Sequence, residues 1–127
     1  VKMREGKDVT VVATGLMVSN TLEAAEKLAA EGMDVEVINI HTIKPLDEEI
    51  IIESAKKTGK VITVEEHSVI GGLGSAVCDV LSEKYPVPVT KLGVKDTFGH
   101  SGPALELLKE FQLDSEGIYR QIKEIMS

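Results

Sequence analysis

Apolar residues in this chain fall into short β-branched runs separated by longer stretches in which they recur every three or four positions. The first run, Val9 to Ala13 (VTVVA), closes at Thr14 and Gly15 and predicts a strand buried on both faces. From Val18, the positions Val18, Leu22, Ala25 and Ala29 line up at spacings of four, three and four, with Glu23, Glu26 and Lys27 opposite. That pattern predicts a helix ending near Gly32. A second strand follows at Val35 to Ile40 (VEVINI), and Pro45 then breaks the pattern within HTIKPLD. Asp47 can cap a helix over EEIIIESAKKT, where Glu48 and Glu49 favour the positive end of the dipole, and Gly59 ends it.

The third strand carries Val61, Ile62 and Val64 and is expected to stop at a charged corner, Glu65, Glu66 and His67. Gly71, Gly72 and Gly74 then free the backbone for a turn or a close approach before a helix with Val77, Val80 and Leu81 on one stripe. Tyr85 and Pro86 terminate that helix. A fourth strand within VPVTKLG carries Pro88, so it should begin late or lie at an edge. The irregular stretch GVKDTFGHSG, residues 93–102, precedes a helix from Pro103 to Phe111 and a last helix capped by Asp114, whose Ile118, Ile122 and Ile125 share a face. Strands alternating with helices predict a mostly parallel sheet covered on both sides.

At 127 residues the chain fits one domain that buries roughly two thirds of its unfolded surface, too little for two catalytic domains. The polar opening VKMREGKD, residues 1–8, reads as a linker remnant of a fragment or processed chain, with one domain over residues 9–127. A net charge of −7 argues against nucleic acid as partner. One cysteine, Cys78, forbids an internal disulfide and points to a cytoplasmic location. No apolar run approaches the ~20 residues of a membrane span, so a soluble protein is expected.

Three constellations could carry chemistry. The glycines form either a tight strand-to-helix turn, the simpler reading, or an anion cradle at a helix N-terminus; the partial pattern lacks GxGxxG and a following Lys-Ser or Lys-Thr. Glu65, Glu66 and His67 could form an acid/base set, but sequence neighbours point different ways and a solvated or interfacial cluster is favoured. His41 and Lys44 could line the same carboxyl edge as His67, while His100 in DTFGHSG is either part of an active-site rim or subunit contact or a plain hydrogen-bonded loop histidine. The histidines are too scattered for a metal site, Ser101 lacks a nucleophile elbow, and Cys78 sits within a helical stripe as a small hydrophobe.

Taken together, GKDVTVVATG, TLEAAEKLAAEG, HTIKPLD, VITVEEHSVIGGLGSAV and LGVKDTFGHSG leading into ALELLKEFQLDSEGI resemble the C-terminal domain of thiamine-diphosphate-dependent transketolases, including the form made as two subunits. The first four are similar also to deoxyxylulose-phosphate synthases and 2-oxoacid dehydrogenase β subunits; DTFGHSG and FQLDSEGI look most like transketolase. The resemblance implies a three-layer α/β/α fold with a largely parallel five-stranded sheet, one strand antiparallel, whereas the pattern alone yields four strands. It implies transfer of a two-carbon ketol unit between sugar phosphates, as in the pentose phosphate pathway, with thiamine diphosphate and Mg²⁺ held by the other domains. The GDG metal motif is absent from this chain, so it is expected to be inactive alone, with no catalytic, cofactor or metal residue of its own. Its expected role is to complete the subunit with the remaining domains or an N-terminal subunit and to buttress a homodimer near the active-site approach. Glu65, Glu66, His67, Gly71, Gly72, Gly74, Asp96, Thr97, Phe98, His100 and Ser101 are the candidates for that interface or rim. The alternatives are a free-standing nucleotide-binding module, or the same domain in a 2-oxoacid dehydrogenase β subunit or a deoxyxylulose-phosphate synthase.

Overall fold

The computed structural model describes residues 1–15, 17–41, 45–68, 72–94 and 112–127. The strands are β1 (Lys2–Arg4), β2 (Val9–Ala13), β3 (Val35–Asn39), β4 (Val61–Ser68) and β5 (Val89–Val94), in the sheet order β1-β3-β2-β4-β5. The helices among the described residues are α1 (Met17–Ala30), α2 (Glu48–Thr58), α3 (Leu73–Lys84) and α4 (Ser115–Met126). Strands β3, β2, β4 and β5 run parallel, and β1 pairs antiparallel with β3. The sheet is therefore five-stranded with one antiparallel strand, as the family resemblance implies. That fifth strand lies inside the segment read from pattern as a linker remnant, so residues 2–4 belong to the sheet.

Period-two alternation assigns the two faces. Val9, Val11 and Ala13 of β2 and Ile62 and Val64 of β4 pack with Met17 and Leu28 of α1 and Ile118 and Ile122 of α4. Val12 of β2, Ile38 of β3 and Val61 of β4 pack on the opposite face with Ile51 of α2 and Leu73, Val77 and Leu81 of α3. Burial of each Val, Leu, Ile or Met side chain among them contributes about 1.5–3 kcal/mol, so the two layers stabilise the sheet from both sides. Ile125 is partly buried beside the first layer, which gives α4 the single apolar face its spacing predicts.

The helix ends follow local chemistry. Asp47 accepts from the Ile50 N–H at 3.4 Å at the start of α2, and Asp114 accepts from the Gly117 N–H at 2.9 Å at the start of α4. Gly59, at φ +74°, closes α2 in the left-handed conformation that residues with a Cβ resist. Strand β5 starts one residue after Pro88 and forms one edge of the sheet, consistent with a proline that cannot donate to a ladder. The helix expected from Pro103 to Phe111 and the 95–102 part of the preceding irregular stretch lie outside the described residues.

Candidate functional site

The chain passes from β2 to β3 on one side, then crosses back over β2 to reach β4. The winding reverses between β2 and β4, and in open α/β sheets ligands enter the crevice at the carboxyl ends of such strands. Here that crevice is bounded by Thr14 and Gly15 after β2 and by the second half of β4. The Thr14 N–H donates to the Val64 carbonyl at 3.3 Å, so the backbones stay in contact just past β2.

The expected charged corner is instead part of the strand. β4 runs through Glu65, Glu66 and His67 to Ser68, and its register against β5 shifts between Val64 and Ser68. Because the strand continues, Glu65 and Glu66 fall on opposite faces and cannot act as one acid/base pair. Glu65 shares the face of Val61 and Thr63 and is only 1% exposed. Its Oε1 accepts from the Leu73 N–H at 3.0 Å and its Oε2 from the Gly74 N–H at 2.8 Å. The physical cause is the start of α3: Gly72 stands at its N-cap without a side chain, and its first turn holds no acidic residue. Two orphan amides and the positive end of the dipole would otherwise be buried without an acceptor. The carboxylate that caps α3 comes from the preceding strand.

Glu66, on the other face, is half-buried against Gly15. A Cβ on Gly15, whose φ is +55°, would sit 2.4 Å from Glu66 Oε1, so glycine is required there by both conformation and space. Gly74 makes a close approach of a different kind. A Cβ there would lie 2.8 Å from Lys91 Cγ and 2.9 Å from Thr63 Oγ1, so the start of α3 is pressed onto β4 and β5. The surface that comes near this glycine is the chain's own sheet. The anion-cradle alternative therefore meets amides already taken by Glu65, and the tight-turn reading suits Gly72 and Gly74.

Of the other candidates, His67 lies on the strand next to Glu66. His41 is exposed, with its Nε2 3.3 Å from Asn39 Nδ2, just past the carboxyl end of β3. Cys78 is a half-buried free cysteine in the middle of α3. Lys44, Gly71, Asp96, Thr97, Phe98, His100 and Ser101 lie outside the described residues.

Sequence reasoning missed a buried polar network on the α2 face. Glu36, fully buried on β3, accepts from the Ser54 hydroxyl at 2.5 Å, from the Gly6 N–H at 3.2 Å and from the Lys57 ammonium. Ser54 Oγ in turn lies 2.6 Å from Thr10 Oγ1, which is 2.7 Å from Thr58 Oγ1. Burial pushes the Glu36 carboxyl up, but Lys57, Ser54, Gly6 and Lys2 outweigh it and hold it below the ordinary carboxylate value. The signal lay in VEVINI: alternation places Glu36 on the face of Ile38 and Ile40, an inward position that a charge occupies only with partners.

The described donors do not suit thiamine diphosphate with its metal ion. The α3 N-terminus holds an internal carboxylate, the adjoining crevice a second one that would repel phosphate, and no three His, Cys, Asp or Glu side chains among the described residues converge on a metal position.

Comparison with known proteins identifies the relatives. The family model described as transketolase, C-terminal domain, matches residues 1–118. A 6-deoxy-6-sulfo-D-fructose transketolase subunit from a Clostridium species is 50% identical over 123 residues, covering 97% of this chain and 38% of that protein. A 1-deoxy-D-xylulose-5-phosphate synthase from Heliobacterium modesticaldum is 40% identical over 124 residues, covering 97% of this chain and 19% of that protein. The solved structure of a split-gene transketolase, an inactive beta4 tetramer, superposes with a TM-score of 0.92 at 48% identity, over 99% of this chain and 41% of its own. The chain thus spans about two fifths or less of these proteins. With a family match over nearly its whole length, a relative at 50% identity and a solved structure that superposes over 99% of it, the chain belongs to the transketolase C-terminal domain family.

Proposed function

We propose that this chain is the non-catalytic C-terminal part of a transketolase-type enzyme that moves a two-carbon ketol unit between sugar phosphates in the cytoplasm. Its partners are the remaining domains or a separate N-terminal subunit, which hold thiamine diphosphate and Mg²⁺, and the complete enzyme is a homodimer. The carboxyl edge of the sheet, with Glu65, Glu66, His67, Gly72 and Gly74, is the face turned toward the active-site approach. Gly71, Asp96, Thr97, Phe98, His100 and Ser101 extend that rim in sequence. The observation that carries this reading is the Glu65 carboxylate on the Leu73 and Gly74 amides. The N-terminus of α3, where the glycines could have cradled an anion, is filled from within, which favours protein contact over cofactor binding at this edge. The family match supports the enzyme class.

Calorimetric titration of the chain with thiamine diphosphate plus Mg²⁺, and separately with NAD, tests this. Both are expected to be silent, while addition of the N-terminal subunit of a split relative should yield a complex that binds the cofactor. Saturable NAD binding by the chain alone would support a nucleotide-binding module instead. The 40% identity to a 1-deoxy-D-xylulose-5-phosphate synthase supports a second reading, in which the same domain serves that enzyme. Formation of 1-deoxy-D-xylulose 5-phosphate by the reconstituted complex, without ketol transfer between sugar phosphates, would select it.

A further inference from the structure

We propose that Glu36 is a latch for the amino-terminal strand: its buried carboxylate ties residues 2–6 to the sheet edge, and removal of its charge releases that strand locally while the rest of the sheet stays folded. Outside Glu36, β1 is held by Arg4, whose Nη1 donates to the Val35 carbonyl, and by the Asn39 N–H on the Val1 carbonyl, both at 2.8 Å. The strand is three residues long, pairs with β3 alone and shifts register between Lys2 and Arg4. Val1 is 63% exposed and Met3 45%, so apolar burial contributes little there. The ion pairs of Arg4 with Glu26 at 3.2 Å and Asp34 at 3.3 Å, and of Lys2 with Glu5 at 3.2 Å, involve exposed or half-exposed partners and are weakened by water.

Glu36 differs because it is dry. From a fully buried position it takes the Gly6 N–H, the Ser54 hydroxyl and the Lys57 ammonium, with Lys2 Nζ at 3.8 Å. Lys57 also reaches Glu5 Oε2 at 3.2 Å, so α2 holds the residue before Gly6 directly as well as through Glu36. The charged groups facing Glu36 are therefore Lys2 from β1, Glu5 from the turn after it, and Lys57 and Glu53 from α2, which line the same cleft. Gly6 fits so closely that a Cβ would lie 2.3 Å from the Val35 carbonyl carbon. A neutral side chain at position 36 keeps the shape but loses the charge-assisted bonds that set this strand apart from a frayed terminus.

The latch also fixes a direction. β1 runs antiparallel, so the Asn39 N–H meets the Val1 carbonyl at 2.8 Å, and the first residue stands at the carboxyl end of β3. The strand that Glu36 holds thus delivers the chain to the same edge of the sheet as Glu66 and His41.

Hydrogen exchange measured by mass spectrometry on the full 127-residue chain tests the latch. In E36Q, amides 2–6 should exchange at least about tenfold faster than in the wild type at constant pH, while Val11 of β2 and Ile62 of β4 keep their protection. G6A should release the same segment by steric expulsion, with Glu36, Ser54 and Lys57 intact. Unchanged exchange of residues 2–6 in E36Q would overturn the proposal. So would parallel loss of protection in β2 and β4 in either variant, or an E36Q chain that does not fold, since each would make Glu36 a support of the whole domain.

Discussion

Two buried glutamates on this sheet solve the same problem with different partners. Glu65 on β4 is held by two backbone N–H groups at the start of α3, and Glu36 on β3 by an ammonium, a hydroxyl and one N–H. Both are about 0–1% exposed, so desolvation alone would penalise either charge heavily. The difference lies in what each partner does when the carboxylate is gone. The Leu73 and Gly74 amides are buried where α3 meets the sheet, whereas the Lys57 side chain is 38% exposed and can turn to water. A carboxylate that satisfies backbone is harder to replace than one that satisfies a flexible cation. Glu65 belongs to the core of the fold, and Glu36 to the attachment of its edge.

The substitution expected to hurt most is Glu65→Leu. It strands two buried amides at about 1–3 kcal/mol each, so a loss of about 3 kcal/mol is expected, read as a Tm lowered by roughly 10 °C in thermal unfolding. Glu36→Leu strands one buried amide, that of Gly6, rather than two, and leaves Ser54 bonded to Thr10, so it should cost less, about 1–2 kcal/mol. Equal costs at the two positions in denaturant titration would break the distinction.

Acid sharpens the contrast at Glu36. Its folded pKa is held below the unfolded value of about 4.3, so its contribution is complete above that value and disappears as pH falls through the folded pKa. Unfolding free energy measured from pH 7 downward should fall less steeply below pH ~4.5 in E36Q than in the wild type.

Gly59→Ala should cost about 1 kcal/mol through its φ of +74° alone, because nothing lies within 4 Å of the added Cβ. Lys84→Ala, which removes an exposed pair with Glu48 at 2.6 Å, should leave the denaturant midpoint unchanged within error and marks the baseline for surface charge in the same assay.

Most of the frame was legible from pattern. The β-branched runs at Val9, Val35 and Val61 are parallel interior strands, and Asp47, Asp114 and Gly59 bound their helices, because these signals act within a few residues of chain. β1 was illegible because an edge strand needs no apolar face, and VKMREGKD is held by Asp34 and Glu36 some thirty positions away. The candidate edge was read by composition but not by geometry. Glu65, Glu66 and His67 were expected at a corner, and the strand runs through them, so the two carboxylates separate to opposite faces. The glycines were read for close approach, and for Gly74 the approaching surface is Lys91 and Thr63 of the same sheet.

What the sequence by itself determined is therefore what depends on neighbours along the chain: the alternation of strands and helices, the caps, and motif order specific enough to point to one family. Only the tertiary structure decided where the buried charges go. The acceptor for the α3 amides lies eight and nine residues upstream on a strand, and the partners of Glu36 come from the N-terminal segment and α2. A carboxylate's role is set by which donors surround it once water has been removed, and that is a property of packing, which no local pattern carries.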